Sequence, residues 1–156
     1  NLRPLIDAVA FHAGENTLRD VWLITTQSDP TAPGNSAAAK GPEQAWQILA
    51  KYLGYRYGER VQVHTDGLCV KAWDYGDLWK KAEVIFRTSG YKDEVLLADV
   101  TGGTKMMSVA LAMACIPPNR KMQYMDAERD WQGQPLKSAG TRPVVIDVDP
   151  ILYPSH

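Results

Sequence analysis

The run Asp99-Val100-Thr101-Gly102-Gly103-Thr104-Lys105 holds the residue types and the spacing best suited to chemistry in this chain. Adjacent glycines let a backbone turn sharply and approach a ligand with no Cβ in the way. Where a helix starts just after such a turn, its first amides point outward unpaired, and that geometry receives anions. Thr101 and Thr104 add hydroxyls and Lys105 adds a positive charge, so the expected guest is a phosphate or a phosphodiester. Asp99 is expected to order the turn by accepting its amides rather than to serve as a general base.

The flanking residues supply the elements this turn needs. Before it, Glu94 to Ala98 is an apolar run of strand length; after it, Met106 to Cys115 is apolar almost all round and stops at Pro117-Pro118. Upstream, Leu2, Leu5, Ile6, Val9 and Ala10 fall at helical spacing, which predicts a lead-in helix ending near Gly14. Asp20 to Thr25 reads as a strand buried on both faces, running into Thr26-Gln27-Ser28 and then a Pro/Gly/Ser-rich loop over 29–41. Helices are predicted from Pro42 to about Gly54 and from Tyr75 to before Gly90, with strands at Arg60–Thr65, 95–99, Lys121–Asp126 and Val144–Val148.

Strand and helix alternate throughout, which calls for an α/β fold. The expected architecture is a Rossmann-like or flavodoxin-like, doubly wound, mainly parallel sheet of about five or six strands with helices on both faces. Ligands of such sheets bind beyond the carboxyl ends of the strands. Two polar loops leave such ends, Thr25-Thr26-Gln27-Ser28 and Thr101 to Lys105, and they face one crevice if the first and third strands are neighbours.

Composition narrows the guest. The chain has 156 residues, 45% hydrophobic and 22% charged, as suits one globular domain. A formal charge of -1 with pI near 6.3 argues against long DNA or RNA, which normally needs a basic face. There is no G-x-x-x-x-G-K-[ST], and Gly102-Gly103 lacks the third glycine of G-x-G-x-x-G, which disfavours an ATPase or a dinucleotide enzyme. The plainest competing reading is that the glycines only let a helix pack close to the sheet. Cys69 and Cys115 form no CxxC pair and read as packing residues in a reduced, cytoplasmic compartment. His12 and His64 have no partner at metal or triad spacing and read as ordinary histidines, so neither a metal nor a cofactor is expected. No signal peptide and no apolar run of roughly 18 residues is present.

The complete string Asp-Val-Thr-Gly-Gly-Thr-Lys-Met-Met, followed by a helix of small residues, resembles the CARF family, the CRISPR-associated Rossmann-fold sensors of cyclic oligoadenylate second messengers. The resemblance rests first on residues 99–115 and second on the loop after the first strand. It implies a two-fold homodimer with a cyclic RNA ring, cyclic tetra-adenylate favoured, lying across the interface over the strand ends. The motif carries over to Thr101, Gly102, Gly103, Thr104 and Lys105; Thr25, Thr26, Gln27 and Ser28 are placed by analogy of loop. Arg129, in the charged loop after the Lys121–Asp126 strand, is a further candidate for a phosphate, and Trp131 for stacking on a base. The resemblance also implies an effector or inner-membrane tether preceding Asn1. With no histidine in either loop, a sensor without turnover is preferred over a ring nuclease; a general mononucleotide-binding α/β domain is the remaining alternative.

Overall fold

Short apolar runs separated by amphipathic helices become paired strands and their cover. The computed structural model describes residues 2–27, 42–71, 74–136 and 139–155, with the side chains of 42–45 left aside. In chain order these form α1 (Arg3–Gly14), β1 (Asp20–Trp22), β2 (Thr25–Gln27), α2 (Pro42–Tyr57), β3 (Gln62–His64), β4 (Cys69–Lys71), α3 (Tyr75–Thr88), β5 (Leu97–Asp99), α4 (Lys105–Ala114), β6 (Lys121–Ala127), β7 (Thr141–Ile146) and α5 (Asp149–Leu152). Short 3-10 turns occupy Gly58–Arg60 and Asp93–Val95.

The fold is α/β with mainly parallel pairing. β1 runs parallel to β3, β2 to β4 and β5 to β6, while β7 joins β6 antiparallel. The expected strand at Asp20–Thr25 is broken into β1 and β2. Asp20 pairs with Gln62 but Thr25 pairs with Cys69, so the partner chain takes two extra residues across the break. The turn at Asp66-Gly67 absorbs them, with Gly67 at φ +70, and the chain returns to the ladder as β4, a strand the sequence reading did not anticipate. The last strand is 141–146 rather than 144–148.

The strands form three hydrogen-bonded ladders, β1-β3, β2-β4 and β5-β6-β7. A cavity of about 1170 Å³ separates the first two from the third, lined by residues 20–26 on one side and 94–100 on the other. The expected full burial of the first strand is reduced accordingly: its residues up to Ile24 are half-buried.

Helices cover both faces. Adjacent strand residues point to opposite sides. Met122 packs with Phe86 of α3 and with Cys115, just after α4, whereas Gln123 bonds to His12 of α1. α1 is fastened to β7 by Asp7, whose carboxylate accepts from both the amide (3.1 Å) and the hydroxyl (2.9 Å) of Thr141. Burial pushes the Asp7 carboxyl up, but the hydrogen bonds from Arg3 and Thr141 outweigh it and hold it below its ordinary value.

Arg120 locks the opposite side. Its guanidinium is buried, donates to Glu83 of α3, to Asp93 (2.8 Å) and to the carbonyl of Ala114 (2.8 Å), and lies 4.2 Å from the centre of the Phe86 ring. Three elements thus converge on one cation. Arg120→Ala leaves Glu83 facing the interior without its partner and is expected to lower unfolding free energy by about 3–5 kcal/mol in urea titration. A loss below about 1 kcal/mol would show the network to be dispensable. Because Asp7 titrates below its ordinary value in the folded chain, its contribution is present above that value and is lost as pH falls through the depressed one. Asp7→Asn should therefore make stability fall less steeply below about pH 4, as read by thermal melts across the acid range.

Candidate functional site: an anion-receiving turn beside a buried carboxamide

β5 ends at Asp99, and five residues later Thr104 caps α4, its hydroxyl accepting from the Met107 amide at 3.3 Å. Between them the chain makes its sharp turn. Gly103 sits at φ +80, and a Cβ there would lie 2.6 Å from the Met107 sulfur; a Cβ on Gly102 would come within 3.2 Å of Leu5 in α1. Gly103 is thus called for by backbone conformation, whereas a side chain at Gly102 would press on Leu5 of α1.

Asp99 orders the turn. One carboxylate oxygen accepts from the Thr101 amide at 2.8 Å, and the other from the Gln123 side-chain nitrogen at 2.7 Å. The Thr101 hydroxyl in turn accepts from the Met125 amide at 2.7 Å, and Ser108 of α4 donates to the Val100 carbonyl at 2.7 Å. Among the described residues, the amides of Gly102, Gly103, Thr104 and Lys105 donate no hydrogen bond, and the Lys105 ammonium has no acidic partner. No acidic residue lies in the first turn of α4. Unpaired amides, the positive end of the helix dipole and one unpaired cation thus share a surface, an arrangement that attracts a phosphate.

Of the predicted residues, Thr25, Thr26, Gly102 and Gly103 line the same large cavity. Thr25 is buried and Thr26 and Gln27 are half-buried in β2; Thr101, Thr104, Lys105 and Gln27 lie outside the cavity lining. Ser28 falls outside the described residues. Arg129 stands apart, in the β6–β7 loop. It donates to the Gly133 carbonyl at 3.0 Å and pairs loosely with Asp126 at 3.9 Å. That loop is closed by Asp130, which accepts from the amides of Gln132 and Gln134 and leaves Trp131 91% exposed at its tip.

Two residues absent from the sequence reading of the site belong to it. His12 and Gln123 both line the cavity and bond to each other at 2.7 Å across 111 positions. Spacing offers no signal for such a pair, although a lone glutamine among the apolar residues of a predicted strand is one. The other histidine, His64, also has a partner: it bonds to Asp20 at 2.8 Å, stacks on Trp22 at 4.8 Å, and shares Asp20 with the Tyr91 hydroxyl. Hydrogen bonds from Tyr91 and His64 hold the Asp20 carboxyl below its ordinary value. Of the cysteines, Cys115 is buried, which raises its thiol to about 11, while Cys69 is exposed on β4 rather than packed. Among the described residues there is no cluster of metal-ligating side chains.

No protein-family model matches the chain, and no curated protein matches it. Among the described residues no helix is long and apolar enough to cross a membrane.

The turn makes a direct prediction. Gly103→Ala must place a side chain at positive φ against Met107 and should cost about 1–2 kcal/mol, a fall of roughly 2–8 °C in Tm. An unchanged melting temperature would show that the left-handed turn is not required.

Proposed function

We propose that this domain is a ligand sensor that binds a cyclic oligoadenylate, with cyclic tetra-adenylate favoured, at the interface of a homodimer. The observation that carries the reading is that, among the described residues, the amides of Gly102 to Lys105 donate no hydrogen bond and the Lys105 ammonium has no acidic partner, while Gly102 and Gly103 line a large cavity. Phosphate oxygens would accept from those amides and from Lys105, while ribose hydroxyls, both donor and acceptor, suit Thr25, Thr26, Gln27 and Ser28. In this reading the three ladders belong to one Rossmann-like, doubly wound sheet of about five or six strands, and the ring lies over its carboxyl edge.

A second copy is supported by α4 itself. Met106, Val109, Met113 and Ile116 follow at helical spacing from the turn, each 45–54% exposed, and form an apolar stripe that starts beside Lys105. Two copies joined along it about a two-fold axis bring two glycine turns together, and a ring of four phosphates has the symmetry to meet both. The near-neutral charge suits a small anion held by a few placed groups better than long DNA or RNA. Bound ring would regulate an attached effector in CRISPR antiviral defence, in the cytoplasm or at the inner membrane through a segment outside this chain. The domain needs no cofactor for this and is read as a binding domain rather than an enzyme.

Cyclic tri-, tetra- and hexa-adenylate with linear controls, followed by calorimetry and thermal shift, test the proposal. A tight ring stabilises the fold by RT ln(1 + [L]/Kd), and one ring per two chains is expected. Lys105→Ala should weaken binding by about tenfold or more, since a charge-assisted contact is worth roughly 1.5–3 kcal/mol. No shift with any ring overturns the reading, and accumulation of linear products makes the protein a ring nuclease instead.

A further inference from the structure

α1 contributes no residue to the glycine turn, yet it is bound to that turn in two ways. The first is apolar: Leu5 packs so closely on Gly102 that a Cβ there would lie 3.2 Å from its methyl carbon. The second is a polar chain through the interior. His12 of α1 meets the Gln123 carboxamide at 2.7 Å, Gln123 donates to Asp99 at 2.7 Å, and Asp99 accepts from the Thr101 amide at 2.8 Å.

The chain has a direction. Gln123 is 2% exposed, and its amide nitrogen is turned to the Asp99 carboxylate, which can only accept. Its oxygen therefore faces His12, and the His12 Nε2 must donate. Loss of that donor leaves a buried carbonyl oxygen unsatisfied and frees the carboxamide to rotate away from Asp99. Asp99 then loses the bond that balances its hold on Thr101. Phe11 meets the His12 ring edge-on with centroids 5.1 Å apart, and Asp7 ties the same helix to Thr141, so the donor is presented by a fixed element.

We propose that His12 is a positioning residue for the glycine turn: acting through Gln123 and Asp99 it sets the Thr101 amide, so that α1 and the anion-receiving turn move as one unit. Occupancy of the turn is thereby felt by α1, on the opposite face of the sheet from α3 and α4. This second consequence rests on the anion-binding reading above, whereas the coupling itself does not.

The test separates the two. His12→Leu keeps the apolar bulk and removes the donor; His12→Gln restores an N–H the same number of bonds from Cα. In ¹⁵N spectra of the ligand-free chain, His12→Leu should displace the Thr101, Gly102 and Gly103 amide signals and speed exchange at Thr101 by about three- to tenfold. His12→Gln should return both towards the parent. Unmoved Thr101–Gly103 signals in His12→Leu overturn the proposal, as does a His12→Gln variant no closer to the parent than His12→Leu. With cyclic tetra-adenylate added, His12→Leu should bind about three- to tenfold more weakly, and the ring should shift the His12 imidazole signals of the parent. Ring binding that leaves those signals in place removes α1 as a sensor of occupancy. A parent chain that binds no ring overturns the proposed ligand, while the ligand-free spectra still decide the coupling.

Discussion

A carboxamide buried to 2% exposure cannot be left half satisfied, and the arrangement around Gln123 follows from that constraint. Its nitrogen needs an acceptor and finds Asp99, the last residue of β5; its oxygen needs a donor and finds His12 on α1. Because Asp99 and Gln123 are directly paired in the β5–β6 ladder, the same register that aligns the strands aligns this bond. Asp99 then has one oxygen left for the Thr101 amide, and the Thr101 hydroxyl reaches back to the Met125 amide of β6. The turn that follows is held at its root from two strands and from the helix beneath.

β6 organises the other face as well. Arg120, just before it, gathers Glu83 of α3, Asp93 and the end of α4 onto one buried guanidinium beside Phe86. A buried cation with several placed acceptors specifies geometry more than it adds stability, since desolvation offsets much of the attraction. Here it fixes where α3 and α4 sit relative to β6, and α4 carries the turn. Among the described residues no such tie joins β1 or β2 to β5 itself, and there the ladders stand apart around the cavity. The polar ties and the cavity thus meet at the glycine turn, which is firmly anchored on one side and open on the other.

Anchoring matters to the proposed chemistry. Unpaired amides attract an anion only if they are held in place before it arrives, because ordering them on binding would cost part of the gain. Asp99, the Thr104 cap and the Ser108 bond to Val100 supply that order from within the chain. Two hydroxyls that the sequence offered to a ligand take part: the Thr101 and Thr104 oxygens accept backbone amides and keep their O–H donors. Thr101 and Thr104 thus help to hold the turn, and in the proposed reading phosphate is met chiefly by the backbone amides and Lys105, and ribose by Thr25 to Ser28.

The sequence by itself determined the parts whose physics is local. The apolar runs with their helical and strand periods located α1 to α4 and most strands, Gly102-Gly103 marked the sharp turn, and Asp99 was assigned to its amides. What only the tertiary structure decided depends on residues far apart in the chain. The break between β1 and β2 arises from two extra residues in the partner strand, and the re-entry at β4 from a turn that locally reads as an exit. The separation of the ladders is a property of packing, invisible in any one segment. His12 and Gln123 lie 111 positions apart, as His64 and Asp20 lie 44 apart, and nothing in the spacing of either pair foretells a bond. The glycine turn was legible because its neighbours in sequence build it; what holds it in place was not, because those groups meet only when the sheet register brings β5, β6 and α1 together.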